Sequence, residues 1–289
     1  MANVKFSYYT GCRERLLSRD YNGLFSFLSE NGYTAIEPLE FELANEKIFS
    51  SYDEAVALRS LLDENGIAVS CYSVCVDVFA DPASSREFLL TQAKIAAALG
   101  SPYLHHTIYP PFVNVPDMPT YDEALQVVLP TLCDVIRYAS KLGVTVLYEP
   151  QGFVFNGKSL ASLIKHLHTV EGCEDVGVCF DFGNSAFVDC EPTDLLDELF
   201  PFVRHVHVKD YKYADESINA DKYRTKGGKA MVEVLFGEGD MNVERLISVL
   251  REKGYNGYCS TEVIPIVPKI DHDVAGNLAV EFIRKNKII

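Results

Sequence analysis

Apolar and polar positions along this chain alternate between two periods. Short runs with period 2, rich in Val, Ile, Tyr and Phe, predict strands at 3–9, 33–38, 67–74, 102–108, 144–150, 176–181, 204–210 and 257–263. Between them, apolar residues recur at helical spacing. These stretches predict helices at 20–31, 51–66, 84–100, 121–143, 159–170, 192–200, 242–254 and 271–286, several closed by a glycine such as Gly66, Gly100 or Gly254. Pro130 is expected to kink the 121–143 helix or divide it in two.

Eight strands alternating with eight helices predict a (β/α)₈ barrel in one domain spanning residues 1–289. A doubly wound sheet is the competing architecture, but it rarely needs eight such units, and no GxGxxG follows the first strand. Two connections are long: 109–120, with four prolines, and 211–240, with the basic residues Lys222, Arg224, Lys226 and Lys229. Both follow a strand's C-terminal end, the face where barrels build their sites, so both are read as site covers. The basic cluster is read as a solvated loop face, with an anion site as the alternative.

Composition narrows the function classes. A formal charge of −15 disfavours nucleic acid, whose binding rests on clustered Lys and Arg. No apolar run is long enough to span a membrane, and the N-terminus lacks a signal-peptide pattern, so a cytoplasmic location is expected. The eight cysteines lack zinc-finger spacing and read as free thiols in a reducing compartment.

The candidate chemistry lies at the strand ends. HVHVKD (205–210) places His205, His207 and Lys209 on one face of a strand, with Val206 and Val208 on the other. The fifth, sixth and eighth strands end in Glu149, Asp181 and Glu262. The steps from Glu149 to Asp181, His207 and Glu262 are 32, 26 and 55 residues, and only the last contains the long insertion. A barrel repeat averages about 31 residues, so the four groups fall at equivalent heights on adjacent strands. Three crowded carboxylates repel unless a cation sits between them. Three oxygen donors and an imidazole suit one divalent ion, Mn²⁺ first, with Mg²⁺, Co²⁺ or Zn²⁺ as alternatives. Such an ion, chelated by a carbonyl and an adjacent hydroxyl, would acidify the intervening C–H and stabilise an enediolate.

The segments LYEP, CFDFGN, HVHVKD, GEGDMN and STEV resemble the successive motifs of the xylose-isomerase-like sugar phosphate isomerase/epimerase superfamily. The resemblance implies that Glu149, Asp181, His207 and Glu262 bind the metal, and that Glu149 and Glu262 double as acid and base. It also implies a small sugar or cyclitol substrate and a homodimer or homotetramer. Asn184 matches a position where relatives often place a substrate-contacting His. Lys209, Glu37, His105 and Glu238 of the GEG segment are further expected substrate contacts. Ketose 3-epimerases of the superfamily usually carry another Glu after the first metal Glu and an Arg after the metal His. Here QGFVFNG (151–157) and YKYAD (211–215) contain neither. The same ligands serve isomerisation, epimerisation or loss of a β-hydroxyl, so an inosose-dehydratase-like lyase is the runner-up. An endonuclease IV-like nuclease would need more histidines, and a non-catalytic sugar-binding protein would not need the full quartet.

Overall fold

The computed structural model describes residues 4–109, 118–214, 222–264 and 269–286. Its parallel sheet closes into a ring of eight barrel strands. The first is Lys5–Tyr8, and the second runs as Ala35–Ile36 and Leu39–Phe41, with Glu37 and Pro38 between. The third is Ala68–Val69 and Tyr72–Cys75. The fourth to eighth are Tyr103–His106, Thr145–Tyr148, Gly177–Asp181, Val203–Val208 and Tyr258–Thr261. Each half of the second strand pairs with the matching half of the third, and the eighth strand pairs with the first. The interruption follows from Pro38, which has no N–H to give to the ladder. Ser73 N still donates to the Pro38 carbonyl at 2.9 Å, so the barrel wall continues across the break.

The helices begin and end where side chains satisfy their terminal groups. Asp20, Ser51, Asp81, Thr120, Asn242 and Asp271 each accept a backbone N–H in the first turn of the helix they precede. Gly100 follows helix Pro82–Ala98 at φ +67°, a left-handed conformation that favours glycine.

The helix Tyr121–Lys141 runs unbroken through Pro130, contrary to the expected kink or division. Pro130 and Gln126 are both exposed, so water can satisfy the carbonyl that proline leaves without its helical donor. A short helix, Cys12–Leu17, precedes the second strand and was not anticipated from the sequence. The 211–240 connection is largely ordered as an antiparallel sheet of Asp210–Tyr213, Ala230–Val234 and Tyr223–Arg224, with Ala230–Val234 in the middle. Residues 110–117 and 215–221, which belong to the segments read as covers, and residues 265–268 lie outside the described residues.

Buried polar side chains, among them Ser7, Ser70, Ser260 and Glu37, occupy the barrel interior. Ser70 donates to Ser7 at 2.9 Å, Ser7 bonds Ser260, and Ser260 donates to Glu37. This chain of hydroxyls ends on a buried carboxylate directly beneath the candidate site.

Candidate metal centre

His207 is the hub. In register it sits beside Asp181 on the sixth strand and Ser260 on the eighth. Its two ring nitrogens face different groups. Nε2 lies 2.9 Å from Glu37 Oε1, while Nδ1 lies 3.3 Å from Glu149 Oε2 and 3.2 Å from Glu262 Oε2. An ionised carboxylate only accepts, so Nε2 carries a proton. Burial lowers the His207 pKa, but Cys179, Glu37 and Glu149 prevail and hold it well above the ordinary imidazole value, so a cation at Nδ1 would displace a proton there. A second imidazole, His205, gives its Nε2–H to Glu37 Oε2 at 2.7 Å, and the Ser73 and Ser260 hydroxyls complete four donors on this one carboxylate. Burial alone would raise the Glu37 pKa, but His207 and His205 outweigh it and hold the group well below the ordinary carboxylate range.

Above this support, Glu149, Asp181 and His207 bring one ligand atom each within 4.8 Å of one another. Glu149 Oε2, Asp181 Oδ2 and His207 Nδ1 are all buried and have no hydrogen-bond partner among the described residues. Unpaired buried polar atoms are costly, so their convergence marks a place where a cation belongs. Lys209 Nζ bonds Glu262 Oε1 and lies 3.7 Å from Asp181 Oδ2. Three carboxylates against one ammonium leave two negative charges, which one divalent ion would neutralise. The donor set of carboxylate oxygens and one imidazole fits such an ion. Burial raises the Asp181 pKa; Lys209 pulls it down while Glu262 and Glu149 push it up, for a value of about 7. Burial also pushes Glu262 up, but Lys209 and His207 prevail and hold it at about 2.

His105 faces the same space. Ser73 has one hydroxyl proton and gives it to Glu37, so it accepts from His105 Nδ1 at 2.9 Å. That leaves His105 Nε2 as an unpartnered acceptor 3.6 Å from Glu149 Oε1. Burial lowers the His105 pKa, which keeps the ring neutral.

The other expected contacts fall in different places. Asn184 is buried, and its backbone N–H donates to Asp181 Oδ1 at 2.7 Å, as does that of Gly183. Its side-chain Oδ1 has no partner among the described residues. Glu37, expected to reach a substrate hydroxyl, is fully buried below His207. Glu238 is exposed and does not line the cavity. The GEG turn is nonetheless tied to the site: Asp210 of HVKD accepts from the backbone N–H groups of Gly237, Gly239 and Met241 at 2.9, 3.1 and 3.2 Å.

A cavity of about 220 Å³ opens over the centre. His105, Glu149, Lys209 and Glu262 line it, as do Tyr9, Gln151, Tyr211, Tyr223 and Glu233, which sequence reasoning had not selected. Tyr9 packs its ring 5.1 Å from that of His207. Gly183 permits the close approach of Tyr211, since a Cβ there would lie 2.6 Å from the tyrosine ring. Alternation in YKY (211–213) and MVEV (231–234) was the available signal for Tyr211 and Glu233.

The sequence model of a family described as "Xylose isomerase-like TIM barrel" matches residues 25–279. Among solved structures, the IOLI protein with a binding zinc atom superposes with a TM-score of 0.71 at 14% identity, covering 99% of this chain and 97% of the other. The probable 3-DHS dehydratase AsbF from Bacillus anthracis gives 0.69 at 16% identity, covering 97% and 99%. A D-allulose 3-epimerase from Methylomonas sp. in complex with D-allulose gives 0.69 at 14%, covering 99% and 98%. No curated protein matches the sequence. No described helix is long and apolar enough to cross a membrane.

Proposed function

Because the chain belongs to the xylose isomerase-like TIM barrel family, we propose that it moves a proton on the carbon beside the carbonyl of an unphosphorylated sugar or cyclic keto-polyol, as an isomerase or epimerase. The observation that carries this reading is the convergence of three buried ligand atoms that make no hydrogen bond among the described residues, Glu149 Oε2, Asp181 Oδ2 and His207 Nδ1. A divalent cation held by these residues and Glu262, Mn²⁺ first with Mg²⁺, Co²⁺ or Zn²⁺ as alternatives, would polarise a bound carbonyl and acidify the neighbouring C–H.

The chain's own groups supply the rest. Glu149 and Glu262 come from the fifth and eighth strands and approach His207 Nδ1 separately. One takes the proton and the other returns one, to the opposite face in epimerisation or to the adjacent carbon in isomerisation. At least one of them would hold the cation through one oxygen and keep the other for the substrate. Lys209 donates to a substrate oxygen, and His105 Nε2 accepts a hydroxyl proton.

Charge selects against a phosphorylated substrate. Among the described residues lining the cavity, Lys209 is the only Lys or Arg, and Glu262 and Asp181 already engage it. Arg224, Lys226 and Lys229 are exposed, and Lys229 lies 3.7 Å from Asp189. The segments 110–117, 215–221 and 265–268 contain no Lys, Arg or His. Among the described residues, the cavity wall therefore offers a phosphoryl group no Lys or Arg besides Lys209. The cavity volume suits one monosaccharide-sized ring, below the ~300 Å³ lower end of drug-sized pockets.

The test is NMR in D₂O with free ketoses, inososes, 3-keto-sugars and ketose phosphates. Mg²⁺-loaded protein should incorporate deuterium beside the carbonyl of an unphosphorylated compound, and EDTA-stripped protein should not. Uptake that survives EDTA, or that occurs only with phosphorylated compounds, overturns the reading.

A further inference from the structure

A third carboxyl group enters the cavity from outside the ligand set. Glu233 lies in the middle strand of the antiparallel sheet that follows the seventh barrel strand, paired in register with Tyr211. It is 4% exposed, and it lines the cavity with Tyr9, Tyr223, Lys209 and Glu262. The backbone N–H of Ile264, two residues beyond Glu262, donates to its Oε1 at 2.5 Å. No described residue bonds Oε2.

Proton transfer alone requires two acid/base groups, and Glu149 and Glu262 provide both. A third carboxyl is surplus to isomerisation or epimerisation, whereas expulsion of a hydroxyl has a use for it. Hydroxide is a poor leaving group, and water leaves readily once an acid protonates the departing oxygen. Burial raises the Glu233 pKa, Lys209 pulls it back and Glu262 adds to the rise; the result, about 8, keeps the group protonated at neutral pH.

We propose that Glu233 is the acid that protonates a β-hydroxyl of a bound cyclic keto-polyol, so that the site can follow enolisation with loss of water as well as with proton return. The proposal rests on the enolisation reading above. Glu149 or Glu262 takes the proton from the carbon beside the carbonyl, and the C–H electron pair becomes that of the enolate. When the carbonyl re-forms, this pair moves into a new C=C bond toward the β carbon. The C–O bond breaks with its electrons staying on oxygen, that oxygen takes the Glu233 proton, and water departs. The product is an unsaturated ketone; no carbon is oxidised or reduced overall by an outside agent. Solvent carries the abstracted proton away and reprotonates Glu233.

The test compares wild type with Glu233→Gln and Glu233→Asp on scyllo-inosose and 3-keto-glucose, which both carry a hydroxyl β to the carbonyl. Deuterium uptake beside the carbonyl and appearance of the dehydrated product are followed in the same NMR sample. Gln keeps an oxygen for the Ile264 N–H, so the fold should hold, as a melting curve will check. Glu233→Gln should lower the ratio of water loss to deuterium uptake about 100-fold, and Glu233→Asp should restore part of it. Wild-type uptake without water loss, or an unchanged ratio in Glu233→Gln, overturns the role of Glu233 and leaves the enolisation reading standing. No uptake by wild type with either compound overturns both.

Discussion

Glu37→Gln separates the support beneath the metal centre from the centre itself. Glu37 Oε1 accepts from Ser73 and His207, and Oε2 accepts from Ser260 and His205. An amide keeps one oxygen and turns an NH₂ toward the other pair. The serines can adapt, because a hydroxyl rotates to accept, but an imidazole N–H facing an NH₂ cannot. With the NH₂ toward His207, the proton must move from Nε2 to Nδ1, the atom that faces Glu149 and Glu262. With the NH₂ toward His205, that ring must move its proton to Nδ1, which has no partner among the described residues. Either arrangement is penalised, and the first occupies the metal-facing lone pair. Loss of such an orienting partner typically lowers metal affinity about 10- to 100-fold, or about 1.4–2.7 kcal/mol. Competition between the stripped protein and a fluorescent chelator for Mn²⁺ measures the affinity, and ¹⁵N NMR with Zn²⁺-free protein reads the His207 tautomer. Wild-type Mn²⁺ affinity in a folded Glu37→Gln protein would refute the tautomer argument.

Two further outcomes follow from the site. Glu149→Gln and Glu262→Gln, tested separately, should each lower the rate of deuterium uptake at least about 100-fold; wild-type rates in both would remove the acid/base assignment. In metal-free protein, Glu233 has a folded-state pKa of about 8 against about 4.3 unfolded. A raised carboxyl contributes stability that is fully present below the unfolded value and lost as pH rises through the folded one, at about 1.4 kcal/mol per pH unit between them. Glu233→Gln should therefore gain on wild type in denaturant melts between pH 5 and 8, and parallel pH profiles would contradict the shift.

The repeating barrel was legible because each strand and helix carries its own period. The convergence of Glu149, Asp181 and His207 was legible because a strand end fixes both height and direction. Local pattern says less about partners across the barrel. Glu37 occupies a strand end just as Glu149 does, yet Pro38 interrupts its strand and the side chain lies beneath His207. Nothing in residues 33–41 alone reveals that. Glu233 was hidden for another reason. Glycines, lysines and aspartates around it read as a loop, and the five-residue strand Ala230–Val234 is held by pairing with residues about twenty positions earlier. Pro130 misled because proline's cost depends on whether water reaches the freed carbonyl, and exposure of Gln126 is a tertiary fact.

The Asp210 carboxylate, which gathers three backbone N–H groups of the GEG turn, has an evolutionary consequence. In an antiparallel ribbon a slip of one residue reverses every side chain. Such a slip in Ala230–Val234 would turn Glu233 outward and bring a valine to the cavity wall. By anchoring the far end of that ribbon to the barrel, Asp210 makes its register heritable. A one-residue insertion or deletion between Val234 and Gly237 would exchange the chemistry of the wall while leaving the candidate metal ligands in place. Relatives could thus diverge in substrate through indels at this short hinge.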